Sequence, residues 1–349
     1  MLTRRLVLAA CMAAGATLAP AAFMPAAAQV ELKIQHFLPA GAPSQKSLIE
    51  PWAKAVEEQS QGKIKSRIFP AMQLGGKPPE LYDQVRDGIV DVVWTLPSYT
   101  PGRFPIMSVF ELPFMINDAE ATTKAAWEFY QTYAKAEFPD VHPLLFHVHA
   151  RGVIHTKGKA VQSVDDLKGM KLRAPSRPVG DALAKYGATP IFMPVPQTPE
   201  ALSKNVVEGT VVPWEVTVPL RLYELTDHHT LITGPRGLYT SVFLYAMNKK
   251  KYDGLPADLK KVIDANSGSA ITARIGKAWE DVEKPGLDAA KARGNKILTM
   301  PDAETAKLRK LAESVHAAWV EDMNKAGKDG AKLLAAAQAL IDKHGAKTN

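Results

Sequence analysis

The chain has 349 residues, of which 46% are hydrophobic, 7% aromatic and 23% charged, a profile that excludes a disordered or collagen-like protein. Its 43 lysines and arginines exceed its 36 aspartates and glutamates, but they are scattered along the chain, so the sequence predicts no nucleic-acid surface. Two domains are expected, because single hydrophobic cores stop growing at roughly 250–300 residues.

Residues 1–28 have the pattern of an export signal. Arg4 and Arg5 precede a charge-free, alanine-rich apolar stretch that ends at Ala28. We expect cleavage after Ala28, export by the Sec or the twin-arginine route, and a periplasmic protein. Cleavage at the single cysteine, Cys11, would leave an apolar region too short for a signal, so the later site is preferred. The mature chain then has no thiol for a disulfide, a metal site or a nucleophile.

Strands and helices alternate from the predicted mature start. Residues 30–36 alternate apolar with polar side chains, as a half-buried strand does. A helix follows, in which Pro51 either produces a kink or marks the true first turn. The next predicted elements are a strand at 63–69, a helix at 78–87 and a strand at 89–95.

The same alternation resumes after residue 150. Ser163 and Asp166 form a capping box. The elements that follow are a strand at 171–174, helices at 178–186 and from Thr198 to before Gly209, and a strand at 210–214. From Ala303 onward the pattern is helical. Alternation of this kind predicts an α/β protein with parallel sheets covered on both faces.

Ligands of open α/β sheets bind beyond the carboxyl ends of the strands. The loops to consider are therefore 36–44, 70–76, 95–103, 151–156, 173–178 and 213–218. The sequence contains no nucleophile-elbow, dinucleotide-binding, phosphate-loop or zinc-protease motif, which argues against catalysis. His147 and His149 lie two residues apart on a predicted strand, but no carboxylate or cysteine pattern accompanies them, so we predict no metal and no cofactor.

Two arginines follow predicted strands. Arg173 ends the 171–174 strand just before Pro175, and Arg151 ends the segment 144–150. A guanidinium offers a planar pair of donors that matches a carboxylate, although on pattern alone a solvated or salt-bridged arginine is the commoner interpretation for each.

Large aromatic side chains lie near the same predicted loops. Trp94 and Trp214 are at strand ends, and Phe37 and Tyr99 are in adjoining loops. Each one alone fits core packing, whereas together they would form an apolar wall for a pocket whose polar anchor is an arginine.

Five segments together resemble the periplasmic solute-binding subunits of TRAP transporters, the DctP-like family. They are FPAMQLGG at 69–76, VRDGIVD at 85–91, FELPF at 110–114, DDLKGMKLR at 165–173 and LPADLK at 255–260. They follow the order found in the family and span most of the chain beyond residue 28.

The resemblance implies a two-lobed periplasmic binding protein, type II-like, with a long inter-lobe helix and a helical C-terminus. Residues 29–150 would form the first part of lobe 1 and 151–240 the main part of lobe 2. Residues 241–349 would return to lobe 1 with the inter-lobe and C-terminal helices. It also implies a monomeric receptor without catalysis that delivers a small organic acid to TRAP membrane permease subunits.

The resemblance also assigns site residues. The family's carboxylate-binding arginine falls on Arg173, and a second family arginine falls on Arg151. Where many members have a Val-Asp-Gly-x-Glu-Asn segment, this chain has VVPWEV at 211–216, which keeps Glu215 and loses the asparagine. Trp214 and Val216 then suggest an apolar wall.

The expected ligand is therefore an oxo, hydroxy or aromatic monocarboxylate, while two arginines leave a C4-dicarboxylate open. Phe37, Trp94 and Trp214 would shape the pocket, and Gln73 and Glu215 are candidates for hydrogen bonds to hydroxyl or oxo groups. The alternative is an exported enzyme on the same scaffold, for which His36 or Glu215 would have to be the general base.

Overall fold

A computed structural model describes residues 29–345 of the chain. The predicted export signal and its cleavage site lie outside these residues. The strands are β1 Val30–His36, β2 Ile64–Phe69, β3 Val92–Thr95, β4 Val141–Val148, β5 Val153–Thr156, β6 Lys171–Ala174, β7 Thr189–Phe192, β8 Gly209–Val212, β9 His228–Leu231, β10 Val242–Asn248 and β11 Lys296–Thr299. The helices are α1 Glu50–Gln59, α2 Leu81–Arg86, α3 Ala119–Phe129, α4 Arg177–Lys185, α5 Thr198–Ser203, α6 Leu222–Leu225, α7 Lys249–Asp253, α8 Ala257–Ala265, α9 Ser269–Asp281, α10 Glu283–Ala292, α11 Asp302–Lys325 and α12 Gly330–Gly345.

The strands form two sheets, one in each lobe. The first has the order β2-β1-β3-β10-β4, and the second has the order β11-β9-β5-β8-β6-β7. Helices accompany both sheets, so the expected two-lobed α/β architecture is confirmed.

The expectation of parallel sheets is wrong for part of each sheet. β10 runs antiparallel to β3 and β4, and β5 runs antiparallel to β8 and β9. The reason is that the chain crosses between the lobes before each of these two strands, from β4 to β5 and from β9 to β10. A strand that begins at the crossing has to run away from it, opposite to strands that end there.

Local sequence accounts for the central strands. All seven residues of β10 and all four of β3 are buried, as expected for apolar runs covered on both faces. Pro51 lies in the first turn of α1, directly after a π-helical segment at Ser44–Ile49, so it starts the α-helix and does not interrupt it. The predicted capping box is present, since Asp166 accepts from the Ser163 amide at 2.9 Å and the Asp166 amide donates to the Ser163 hydroxyl at 3.3 Å.

The segment that connects the lobes consists of two consecutive helices, where one long helix was expected. α9 ends and α10 begins at Val282. Just before this joint, Glu280 accepts a hydrogen bond from the amide of Ala119 at the start of α3. Just after it, Glu283 accepts from the backbone amides of Trp214 and Glu215 in the other lobe. Glu280 therefore binds the first lobe and Glu283, three residues later, binds the second.

The C-terminal part is helical, as predicted. In α11, Trp319 Nε1 donates to Ser108 Oγ in the first lobe at 3.0 Å, and Asp322 pairs with Arg177 at the start of α4 at 3.1 Å. β11 departs from the expectation that 241–349 belongs to lobe 1. It pairs in parallel with β9 at the edge of the second sheet, because α10 has already carried the chain across.

No helix within residues 29–345 combines the length and the apolar character needed to cross a membrane.

Candidate functional site

A cavity lies between the two sheets, at the strand ends that face each other. It encloses about 360 Å³ of atom-free space, counted together with its solvent-open mouth. Its lining consists of Phe37, Leu38, Trp94, Leu96, Tyr99, His149, Arg173, Pro175, Val195, Val212, Pro213, Glu215, Val216, Tyr239, Ser241 and Phe243.

Arg173 supplies the positive charge of this cavity. It sits near the end of β6, in register with Ile191 on β7 and Thr210 on β8. The residue is only 2% exposed, and its Nε donates to the carbonyl oxygen of Met193 at 2.9 Å. Its Nη2 has no hydrogen-bond partner, and within residues 29–345 no carboxylate forms an ion pair with it. A buried cation with unused donors is suited to receiving an anion.

An aromatic stack forms one wall. The Trp94 indole lies between Phe37, at a centroid distance of 4.8 Å and an angle of 28°, and Phe243, at 4.6 Å and 10°. Trp94 Nε1 donates to His147 Nε2 at 2.8 Å, which fixes the orientation of the indole. Flat apolar faces of this kind favour a planar ligand body.

Tyr99 joins the two lobes at the cavity. Its ring packs on Phe37 at 5.5 Å, and its hydroxyl oxygen accepts a hydrogen bond from the Val195 amide of the second lobe at 2.9 Å. Burial raises the pKa of the Tyr99 hydroxyl, although the nearby Arg173 opposes that change. The phenol is thus a neutral bridge across the cleft.

His149 adds a neutral polar group to the lining. Its Nδ1 donates to the carbonyl oxygen of Ala150, which leaves Nε2 as an acceptor. Burial, with a smaller contribution from Arg173, lowers the pKa of His149 to about 4. The imidazole is therefore uncharged at neutral pH and presents no second cation to a ligand.

Several predicted site residues come together in this cavity. Arg173, Phe37, Trp94 and Glu215 all line it, as does Tyr99, which the sequence had grouped with them as an apolar wall. They reach it from the ends of strands β1, β3, β6 and β8, or from the loops that follow, which is the placement expected for an open α/β sheet.

Arg151 does not line the cavity. Its guanidinium donates to three backbone carbonyl oxygens, those of Asn117 at 2.7 Å, Gly234 at 2.7 Å and Pro235 at 3.1 Å. It therefore joins the loop at Asn117 to the loop at Gly234 and Pro235, and each of its three nitrogens already makes a hydrogen bond. The prediction of a second ligand-binding arginine is corrected accordingly.

Trp214, His36 and Gln73 also lie outside the lining. The Trp214 ring lies in the second lobe, 4.9 Å from the rings of both His155 and His229, and its backbone amide donates to Glu283. His36 lies behind the aromatic stack, with its Nε2 3.0 Å from Gln45 Oε1, and Gln73 is exposed in the loop after β2.

The sequence analysis missed Tyr239, Ser241 and Phe243. These residues precede or begin β10, whose amino end reaches the cavity because the strand is antiparallel. Site residues were expected only after the carboxyl ends of strands, and the signal that points to these three is the crossing of the chain between the lobes before β10.

A neighbouring recess shares Tyr99 and Pro175 with the cavity and extends to the edge strand β7. This more open recess is lined by Tyr99, Pro101, Pro175, Arg177, Phe192 and Met193, among others. Phe192 is 55% exposed there, which is unusual for a large apolar side chain.

The chain was compared with known proteins. Residues 34–322 match the family model of the bacterial extracellular solute-binding proteins, family 7, called DctP. A solute-binding protein from an unidentified marine microbe, described as specific for aromatic acid ligands and solved with metahydroxyphenylacetate, is 46% identical, with a TM-score of 0.89 over 90% of this chain and 99% of that one.

Two further structures are similar to this chain. A TRAP solute-binding protein from Rhodoferax ferrireducens T118, solved with copurified benzoate, is 45% identical, with a TM-score of 0.89 and coverage of 90% and 98%. One from Bordetella bronchiseptica, solved with bound (R)- and (S)-mandelate, is 27% identical, with a TM-score of 0.82 and coverage of 90% and 99%.

Proposed function

Because this chain belongs to the DctP family of bacterial extracellular solute-binding proteins, the receptors of TRAP transporters, we propose that it binds an aromatic monocarboxylate between its lobes. Arg173 would hold the carboxylate, and the stack of Phe37, Trp94 and Phe243 would pack on the ring. The receptor would release the acid to TRAP permease subunits at the membrane.

The observation that carries the proposal is the state of Arg173. A guanidinium that is 2% exposed, whose Nη2 has no hydrogen-bond partner, is costly to bury unless an anion meets it. The carboxylate of a ligand is the group whose geometry matches a guanidinium.

The number of charges favours one carboxylate over two. Arg173 is the only basic side chain among the cavity-lining residues of the described chain that is charged at neutral pH, since Arg151 is bound elsewhere and His149 is neutral. The C4-dicarboxylate alternative would leave one carboxylate without a cation, which makes it the weaker candidate.

The aromatic lining of the cavity and the ligands of two similar proteins both favour a ligand with an aromatic ring. Phe37, Trp94 and Phe243 pack on one another and all three line the cavity, and a wall of aromatic rings suits a planar body better than a puckered one. The two structures that are 46% and 45% identical were solved with aromatic acids. Location in the periplasm, with removal of residues 1–28, is part of the same proposal and agrees with the family.

The test is calorimetric titration of residues 29–349 with benzoate, 3-hydroxybenzoate, mandelate, succinate and a neutral sugar. We expect the aromatic acids to bind, and Arg173→Ala to weaken that binding by about 2–5 kcal/mol, because the ligand carboxylate would lose its cation. Arg67→Ala, which removes an exposed guanidinium on β2, is the matched control.

Two results would count against the proposal. Unchanged affinity in Arg173→Ala would remove this residue from the site, and binding of succinate in preference to the aromatic acids would restore the dicarboxylate alternative. Thermal unfolding of each variant without ligand separates lost binding from lost folding.

The enzyme alternative has lost one of its two candidate bases. His36 lies behind the aromatic stack, which leaves Glu215 as the candidate that lines the cavity. Recovery of the bound acid chemically unchanged after long incubation is the expected result, whereas an altered product would favour catalysis.

A further inference from the structure

On the premise that the cavity takes an aromatic acid, as proposed above, we infer that Glu215 enters the complex as a neutral carboxylic acid. In this form it donates a hydrogen bond to an oxygen of the bound acid. The carboxyl group would then select for an acceptor oxygen, where an ionised glutamate would repel the anion.

Glu215 lines the cavity without a partner for its carboxyl group. It lies in the short turn Trp214–Val216, directly after β8 and Pro213, and its side chain lines the cavity although the residue is only 6% exposed. Within residues 29–345 its carboxyl group makes no hydrogen bond and forms no ion pair within 4 Å, either with Arg173 or with any other cation. Glu215 is therefore not the counter-ion of the buried arginine.

The neighbouring Glu283 binds the backbone of the turn that carries Glu215. Its Oε2 accepts from the Trp214 amide at 3.0 Å, and its Oε1 accepts from the Glu215 amide at 2.8 Å. Two N–H donors favour the ionised form of Glu283, whereas no donor stabilises a negative charge on the Glu215 carboxyl. Two adjacent buried carboxyls cannot both ionise cheaply, so as the pH rises Glu283 loses its proton first and Glu215 keeps its own to a higher pH.

The direction of the pKa changes agrees with this assignment. Burial, followed by the neighbouring Glu283, raises the pKa of Glu215 well above its usual value. Burial raises the pKa of Glu283 to about 8, against the effect of the two backbone donors. Glu215 is thus the carboxyl of the pair that keeps its proton to the higher pH.

The remaining groups around the cavity make the charge balance clear. Burial lowers the pKa of His149 and raises the pKa of both Tyr99 and Tyr239, so these three side chains are neutral near pH 7. Behind them lies the buried Glu111, and burial raises the pKa of this carboxyl as well. Arg173 then contributes one positive charge, and one ligand carboxylate neutralises it. An ionised Glu215 would leave the occupied cavity with an excess negative charge in a low-dielectric space.

The acceptor is an oxygen atom that could belong to either of two parts of the ligand. A carboxylate has more lone pairs than one guanidinium edge can use, and a ring hydroxyl or oxo group offers another acceptor. Comparing benzoate, which has the carboxylate alone, with 3-hydroxybenzoate separates the two sources.

The experiment measures dissociation constants of both acids from pH 6 to pH 9.5. The proteins are the wild type, Glu215→Gln, Glu215→Leu and the exposed control Glu321→Gln. The glutamine amide retains a donor without a titrating proton, so Glu215→Gln should stay within about threefold of the wild type at pH 7, whereas Glu215→Leu should weaken binding about tenfold. Wild-type affinity should fall as the pH rises and Glu215 ionises, while the affinity of Glu215→Gln should not.

Glu283→Gln tests whether the pH effect belongs to Glu215. If ionisation of Glu283 caused the fall in affinity, Glu283→Gln would abolish it and Glu215→Gln would retain it, and the inference would be overturned. Equal losses in Glu215→Gln and Glu215→Leu would overturn it as well. Should Glu215→Leu fail to fold, the pH profiles of the two glutamine variants still decide.

The outcomes distinguish this inference from the proposed function. If neither acid binds the wild type, the proposed function fails first. If both bind and Glu215→Leu binds them as the wild type does, the inference alone fails. A loss in Glu215→Leu for both acids places the acceptor oxygen on the carboxylate, and a loss confined to 3-hydroxybenzoate places it on the ring.

Discussion

His147 fixes the central side chain of the aromatic stack. Its Nε2 accepts from Trp94 Nε1 at 2.8 Å, which requires that the imidazole be neutral with its proton on Nδ1, 3.3 Å from the Val148 carbonyl oxygen. Complete burial lowers the pKa of His147 to about 3. The orientation of the wall therefore depends on a histidine that stays uncharged.

This dependence predicts a pH effect on stability. In the unfolded chain His147 titrates near pH 6.5 and in the folded chain near pH 3, so its contribution is complete above about pH 6.5 and is lost as the pH falls toward 3. His147→Gln keeps an acceptor but does not titrate. As the pH is lowered from 7 to 5, the unfolding free energy of the wild type should therefore fall by about 2 kcal/mol relative to that of His147→Gln. Urea unfolding at both pH values measures this difference. A difference that stays constant would contradict the prediction.

A site residue could be predicted from the sequence only where its role does not depend on contacts with distant parts of the chain. Arg173 could be predicted, because the end of a strand before a proline and the family resemblance both point to it. Arg151 could not be separated from it by sequence, because the carbonyl groups of residues 117, 234 and 235 that it binds come close only in the folded chain. Trp214 was misplaced for a similar reason, since its backbone amide donates to Glu283, far along the chain.

The contact between α10 and the turn after β8 depends on the absence of a side chain. A Cβ atom at Gly286 would lie 2.2 Å from the Trp214 carbonyl oxygen and 2.7 Å from Thr217 Oγ1. The helix therefore lies directly against the backbone that carries Glu215 and Val216 into the cavity.

Gly286→Ala should consequently destabilise the protein. In an open helix, alanine would add about 1 kcal/mol of stability, but here the backbone overlap reverses the sign and costs about 1–3 kcal/mol. Binding of the aromatic acid should also weaken, because the turn forms part of the cavity. Thermal unfolding with and without benzoate measures both effects. Gly41→Ala, whose Cβ would meet nothing within 4 Å, is the control, and a stabilised Gly286→Ala would refute the prediction.

Elements could be predicted better than their pairing. The strand at 171–174, the capping box at Ser163 and Asp166 and the C-terminal helices follow from local patterns. The place of β10 between β3 and β4 does not, because strand neighbours are decided by where the chain crosses between the lobes. That one pairing brings Tyr239, Ser241 and Phe243 to the cavity, which explains why the sequence missed them together.

At the scale of the whole molecule, Tyr99 links the two lobes at the cavity. The hydrogen bond from the Val195 amide to its hydroxyl can form only when the cleft is closed. It therefore stabilises the closed arrangement relative to an open one without requiring direct contact with ligand.

Tyr99→Phe should shorten the lifetime of the complex. Loss of one hydrogen bond of about 0.5–1.5 kcal/mol, which leaves the Val195 amide unpaired, should raise the dissociation rate of benzoate about 2–10-fold and change the association rate little. Stopped-flow displacement measures both rates, and Tyr133→Phe, away from the cavity, is the control. A slower association with an unchanged dissociation rate would show that the bond acts before closure.

Phe192 is exposed in the recess that shares Tyr99 and Pro175 with the cavity, and residues 29–349 contain no cysteine, so the protein is a ready scaffold for an optical sensor. A cysteine introduced at position 192 would be the single thiol in those residues, so a maleimide dye would attach at one known point. The dye would sit where Tyr99 of one lobe faces Met193 of the other, and its emission would report occupancy of the cleft in real time.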